Sequence, residues 1–308
     1  MLEFCVGTES LNLYKEEECI RLREQDVTKI SVSCELLMEG GRSRSDVEKL
    51  AVLLQKTGLS PETCHPPFGS YNELFSIINQ RREQRSYTIN WMKELTERCG
   101  LLNIKAIPLH TGGAMLPDSQ DWEIALAFDY VSSLLNTAEK TGVRIAVENT
   151  NHARPINWLE GVQDDIPLDK NIWEYDDTEK IIRFVTRFQS KSVGICYDTG
   201  HSHLLGKVIE DMEAFKENIV LFHLHDNDGA YNDSHWQPGY GNTPWFELFD
   251  RIERQGYKDV PFLIEAQPKF GSLNEMLDEL SAILEKSVLV GPGGFLKKDR
   301  DSGRIRIG

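Results

Sequence analysis

Short apolar runs alternate with longer amphipathic segments along the whole chain. The runs at 2–7, 28–34, 59–65, 103–110, 143–149, 192–198, 219–225 and 260–266 are short, bounded by polar or turn-forming residues, and read as strands. Between them, 11–25, 44–57, 83–99, 121–141, 174–190, 205–217, 243–255 and 273–286 carry the period of a helix. Leu50, Leu53 and Leu54, like Phe128, Val131, Leu134 and Leu135, recur at i, i+3, i+4 and define buried faces. Gly100, Gly142 and Gly256 fall where three of these helices should end. Strands alternating with helices in this way predict an α/β fold, a closed (β/α)8 barrel. A doubly wound open sheet would favour a G-x-G-x-x-G turn after the first strand, and Gly7-Thr8-Glu9-Ser10 does not supply one. No internal repeat or linker interrupts the pattern. The expected organisation is a barrel over 1–286 and a C-terminal tail over 287–308.

Composition narrows the picture. No stretch of eighteen apolar residues is present, so no membrane-spanning helix is expected. The opening MLEFCVGTES lacks the basic and apolar regions of a secretory signal. Six scattered cysteines (5, 19, 34, 64, 99 and 196) include no C-x-x-C pair, which fits reduced thiols and a cytoplasmic location. Cys64 and Cys196 fall on strands and read as buried small hydrophobes. The net charge of −15 argues against a nucleic-acid partner, because Lys and Arg contacts to phosphate supply most duplex affinity. The single basic cluster, LKKDRDSGRIR at 296–306, lies in the tail. A bound metal cluster would offset part of the acidic charge locally, so the argument weakens that partner without excluding it. The VLV and FL segments of the tail fit packing against a second copy, and a homo-oligomer is expected on that ground.

A barrel of this kind carries its chemistry at the C-terminal ends of its strands. Those ends read His65 on the third, His110 on the fourth, and Glu148-Asn149 on the fifth. Asp198 ends the sixth and continues D-T-G-H to His201. The seventh contributes His223 and His225, its following loop Asp233 and His235, and the eighth Glu265. A lone histidine at a strand end is ordinarily a hydrogen-bonded structural residue. Two glutamates closing strands as apolar as IAVE and FLIE are harder to set aside, because an unpaired buried carboxylate costs several kcal/mol. The barrel mouth brings the two together, and together they call for a divalent cation. His225 shares a strand face with His223, so it either lines the pocket or orients a ligand. His152, in ENTNHAR, is placed to contact a substrate, and His203 reads as structural. Asp226 and Asp228 fit equally as partners of ligands or as turn formers.

These residues lie in the motifs H-P-P, L-H-x-G, V-E-N, D-T-G-H, H-L-H-D-N, D-x-H, G-x-G and I-E-A. On them the chain resembles, over nearly its whole length, the xylose isomerase-like TIM-barrel superfamily. That group unites sugar isomerases and epimerases with apurinic-site nucleases of the endonuclease IV type. For the ketose epimerase branch, the resemblance implies one divalent metal held by Glu148, Asp198, His223 and Glu265. For the nuclease branch it implies three zinc ions, with His65, His110, His201, Asp233 and His235 as the five further ligands. The chain departs from both. The nuclease's G-E-G is replaced by Gly239-Tyr240-Gly241. The arginine that epimerases carry shortly after the seventh-strand histidine is absent from DNDGAYND, so their mode of substrate recognition does not carry over.

Taken with the acidic charge, the resemblance implies a metal-dependent isomerase or epimerase of a small sugar or sugar phosphate. It would work by proton transfer through a metal-stabilised enediolate, with Glu148 and Glu265 as the acid/base pair. The alternative is a multinuclear zinc phosphoesterase, or a sugar-processing lyase or hydrolase on the same barrel. Imidazole and carboxylate ligands without thiolate admit Mn2+, Zn2+, Co2+ or Mg2+. Mn2+ suits one-ion isomerase chemistry, and Zn2+ a site of two or three ions. His201, His225 and His152 are expected at the substrate, with Trp236, Phe68 and Tyr240 stacking on an apolar sugar face. The acidic insert 156–177, with Trp158 and Trp173, reads equally as a lid or a packed surface loop.

Overall fold

Each of the eight runs forms a strand: β1 (Phe4–Gly7), β2 (Lys29–Ser33), β3 (Ser60–His65), β4 (Ala106–Leu109), β5 (Arg144–Glu148), β6 (Val193–Asp198), β7 (Ile219–Leu224) and β8 (Phe262–Ile264). They pair in parallel in chain order, and β8 returns to β1 through Phe4 opposite Phe262, closing the barrel. The computed structural model describes residues 3–8, 11–67, 82–111, 121–150, 178–229, 233–257 and 259–266, with 275, 278, 282, 296–298 and 305–307. Phe68, His152 and the 156–177 insert lie outside the described residues.

Among the described residues the α-helices are α1 (Glu16–Glu24), α2 (Cys34–Met38), α3 (Arg44–Thr57), α4 (Arg82–Leu101), α5 (Asp121–Thr141), α6 (Thr178–Thr186), α7 (Thr199–Leu204), α8 (Val208–Phe215) and α9 (Trp245–Gln255). Local chemistry sets their ends. Ser43 and Asp46 form a reciprocal capping box at the start of α3, and Gly58, at φ 74°, ends it in the left-handed conformation that glycine adopts without penalty. Val47, Leu50 and Leu54 on α3, and Ala127, Val131, Leu134 and Ala138 on α5, are buried against the barrel at helical spacing. Beyond the barrel, β9 (Leu296–Lys298) and β10 (Ile305–Ile307) pair antiparallel.

Three expectations change. Gly100 lies inside α4 rather than beyond its end; a side chain there would run into Thr141 of α5, so this glycine permits two helices to approach closely. The helix expected over 205–217 is α8 alone, preceded by the separate short helix α7, which Asp198 starts by accepting the His201 amide at 2.7 Å. The helix α2 was not expected, and Ser33 caps it by accepting the Leu36 amide.

Period-two alternation sends Ala146 with Glu148, Cys196 with Asp198, and Leu221 with His223 to common strand faces. Ala106, Ala146, Cys196, Val220 and Leu221 pack as an apolar cluster separate from the large core between barrel and helices.

The loop from β7 to α9 is organised by Asp226. Its Oδ2 accepts the amides of Gly239 and Gly241 and the Trp245 indole N–H, all at 2.9 Å. Its Oδ1 accepts the Thr243 amide at 3.2 Å and the Thr243 hydroxyl at 2.7 Å. Of its two expected roles, this is the turn-forming one. Replacing Asp226 with Asn turns an amide donor toward those donors. The variant should lose roughly 3 kcal/mol of stability or more in urea unfolding of the metal-free protein. A change below about 0.5 kcal/mol, typical of an unimportant surface position, would contradict that role.

Candidate metal centre

Glu148 closes β5, Asp198 closes β6, His223 is the penultimate residue of β7, and Glu265 follows β8. The register sets Asp198 beside His223 and His223 beside Leu263, two residues before Glu265. His223 Nδ1 faces three carboxylates: Glu265 Oε2 at 2.9 Å, Glu148 Oε1 at 3.6 Å and Asp198 Oδ2 at 3.9 Å. One donor atom from each of these four residues lies within 4.8 Å of the others. Asp198 and His223 are fully buried and Glu148 almost so.

The other five expected ligands flank this group. His110 Nε2 lies 3.0 Å from Glu148 Oε2, and His65 Nε2 lies 4.0 Å from Glu265 Oε1. His65, His110 and Glu148 form a second set of converging donors. On the other side, Asp233 Oδ2 is 3.1 Å from both His201 Nε2 and His235 Nε2. His201 Nδ1 lies 2.9 Å from the Asn149 carbonyl, and His235 Nδ1 lies 2.8 Å from that of Glu265.

The residues expected at a substrate fall differently. His225 is fully buried, with Nε2 2.9 Å from Asp198 Oδ1. Trp236 is half-buried and pairs its backbone with Asp226. Tyr240 is also half-buried. His203 bonds Asn227 Oδ1 at 2.6 Å, a structural contact.

Sequence reasoning missed two supports. Asn149 accepts the Asp198 amide at 2.7 Å and donates to the Asp198 carbonyl and to Ser202 Oγ. Ser202 in turn donates to Asp211, which also accepts from Thr178. The readable signal was an asparagine directly after a buried glutamate. The second support is Gly200, which lies in the D-T-G-H motif but was given no role of its own.

The electrostatics follow from crowding. Burial alone would raise Glu148, but the charges of His110 and His223 outweigh it and hold the carboxyl well below its usual range. Burial opposes and His223 lowers Glu265 in the same way. Burial would lower His201, His223 and His235, yet neighbouring acidic groups raise all three, His235 to about 9. Cys196 lies within reach of Glu148 and His223, and burial pushes its thiol up, so it stays protonated.

His223 supplies the test of fit. Neither of its buried nitrogens has a hydrogen-bond partner. The separation of Nδ1 from Glu265 Oε2 is that of an ion pair, but the direction is not that of a hydrogen bond. A lone pair and three carboxylates aimed at one point, without directed N–H donors, match the ligand chemistry of a divalent cation.

The chain is similar to known proteins of one family. A probable endonuclease 4 of Mesoplasma florum is 23% identical over 234 residues, covering 71% of this chain and 72% of its own. An inosose isomerase of Bacillus licheniformis is 24% identical over 213 residues, covering 66% and 69%. A Methanocaldococcus jannaschii protein is 26% identical over 205 residues, and there the chain spans 61% of the relative's length. The solved D-tagatose 3-epimerase-like protein shares the fold at TM-score 0.68 and 21% identity, covering 93% of this chain and 100% of that one. The family described as xylose isomerase-like TIM barrel matches residues 34–286, a span that takes in every strand end bearing a candidate ligand; this chain belongs to that family.

Proposed function

We propose that the chain is a metal-dependent isomerase or epimerase of a small sugar or sugar phosphate. The observation that carries this reading is the convergence of Glu148, Asp198 and Glu265 on an imidazole that forms no hydrogen bond. Glu148, Asp198, His223 and Glu265 would hold one ion, Mn2+ by preference, with Zn2+, Co2+ and Mg2+ admitted by the same donors. When bound, such an ion polarises a substrate carbonyl and stabilises the negative charge that develops on it.

The protein's own groups then divide the proton work. Glu148 Oε1 and Glu265 Oε2 both turn toward His223, while their other oxygens face His110 and His65. One carboxylate, ionised, takes the proton from the carbon beside the carbonyl; the other, having taken up a proton from solvent, delivers it elsewhere on the substrate. Neighbouring imidazoles favour the ionised form of both in the metal-free protein, so either is competent to accept. His201, expected at the substrate, has both ring nitrogens engaged, by the Asn149 carbonyl and by Asp233, and serves to orient Asp233. Six buried free cysteines suit a reducing compartment, and we assign the chain to the cytoplasm. No described helix is long and apolar enough to cross a membrane.

One observation favours a second reading. His65, His110 and Glu148 converge, and Asp233 joins His201 to His235, so the nine residues could hold further ions. Three zinc ions there would suit phosphoester hydrolysis, the chemistry that the name of the Mesoplasma florum relative suggests.

Elemental analysis of metal-replete protein should find one divalent ion per chain; three zincs with phosphodiester cleavage would transfer the assignment to the second reading. Against a panel of ketoses, Glu148→Gln and Glu265→Gln should each lose roughly 10²–10⁴-fold in turnover. Unimpaired turnover by either would remove the acid/base pair.

The raised histidines set the pH dependence. Their ion pairs stabilise the metal-free protein fully below the unfolded value of about 6.5, and that stability disappears as pH rises through the His235 value of about 9. A bound ion displaces the same protons, so affinity should move the opposite way. Co2+ binding is expected to tighten by roughly tenfold or more from pH 6.5 to 8.5, while the metal-free melting temperature falls. Calorimetry at the two pH values checks both, and equal affinity at both would contradict protonated ligands.

A further inference from the structure

His225 stands behind the candidate ligands and is held there with unusual completeness. Its Nε2 lies 2.9 and 3.0 Å from the two oxygens of Asp198, and 3.6 Å from Asp233 Oδ1. Its ring stacks on His235, with 4.0 Å between centroids and 8° between planes. Thr199 clamps its backbone on both sides, donating to the His225 carbonyl at 3.0 Å and accepting its amide at 3.1 Å. The ring also needs a particular absence: a Cβ on Gly200 would fall against the imidazole. The glycine of D-T-G-H and the second histidine of H-L-H-D-N are therefore one device, split across two strand ends.

Asp198 shows what the device does. Its Oδ1 accepts the His201 amide at 2.7 Å and faces His225 Nε2, while Oδ2 is turned toward His223 Nδ1. With an N–H at Nε2, His225 bridges both oxygens and fixes the plane of the carboxylate. The remaining nitrogen, Nδ1, has no partner, so nothing else on the ring competes for that role.

We propose that His225, seated in the space left by Gly200, is a positioning residue that sets the Asp198 carboxylate for the metal and braces His235 beside it. This deepens the metal reading given above and rests on it. Partners that orient metal ligands typically contribute 10–100-fold in affinity. A ring that merely filled space would contribute stability and leave affinity alone.

Co2+ is the probe, measured by chelator competition and by its visible absorption, with melting of the metal-free protein as a separate readout of folding. His225→Ala should weaken Co2+ binding roughly 10–100-fold and shift the absorption band. His225→Gln, which keeps an N–H donor, should recover most of that loss. Gly200→Ala should weaken binding as His225→Ala does, by displacing the ring. In the double variant G200A/H225A the clash is relieved, so it should melt above Gly200→Ala yet bind Co2+ as weakly as His225→Ala. Where a single variant does not fold, the double variant and His225→Gln decide the matter on the same scale. Wild-type affinity and an unchanged band in His225→Ala, or in the double variant, overturn the proposal. A wild-type protein that binds no Co2+ overturns the metal reading and this proposal with it, which tells the two failures apart.

Discussion

Burying negative charge is the constraint on which this barrel mouth depends. The protein has a ready way of doing so where no ligand is involved. Glu62, buried on β3, meets Lys105 Nζ at 2.7 Å and the Ser60 hydroxyl at 2.8 Å. Asp211 accepts from Thr178 and Ser202, and Asp226 accepts from amides, a hydroxyl and an indole. Glu148, Asp198 and Glu265 are treated differently. The side chains nearest them are imidazoles, and the three carboxylates crowd around one, His223, that bonds to none of them in the proper direction. Glu148 has His110, and Asp198 has His225 and the His201 amide, yet three negative charges remain crowded together. Like charges held so close cost free energy, so this grouping is maintained against the fold's own preference. Such a cost is the usual mark of a site kept for chemistry.

The fold bears that cost because rigid elements set every position. Parallel register fixes Glu148, Asp198 and His223 on adjacent strands, above the small side chains Ala106, Ala146 and Cys196. Asp198 shows how closely fold and site are joined. It ends β6, caps α7 through the His201 amide, and still turns an oxygen toward His223. Its backbone is held by Asn149, which follows Glu148 on the neighbouring strand. Moving any one of these residues would move the others.

Much of this was readable from spacing. Apolar runs between amphipathic helices located most of the barrel strands, because a strand buried on both faces is usually such a run; β3 is the exception, a polar SPETCH that buries Glu62 and Thr63. Of the nine candidate ligands, the two glutamates stood out on their own, because a carboxylate closing an apolar strand has few innocent explanations. A lone histidine has several, and the rest were grouped by the resemblance. What escaped depended on partners distant in sequence. The helices α2 and α7 are short and set by their caps, Ser33 and Asp198, not by periodicity. Gly200 carries no signal until the His225 ring is seen beside it. Asp226 was ambiguous because most of its donors lie 13 to 19 residues further along the chain.

The pattern of satisfied and unsatisfied nitrogens also bears on how many ions the mouth is built for. His110 has Glu148, His201 has Asp233 and the Asn149 carbonyl, and His235 has Asp233 and the Glu265 carbonyl. His65 meets the Pro66 carbonyl. Each of these imidazoles finds an oxygen of the protein itself, and can therefore serve as an orienting partner with no ion of its own. His223 alone among the candidate ligands has no hydrogen bond at either nitrogen. A carbonyl or carboxylate on one ring nitrogen is also what orients a metal-binding histidine, so the flanking imidazoles fit either as ligands of further ions or as braces for the carboxylates. The central group differs from them: His223 and three carboxylates meet where a cation would satisfy all four at once.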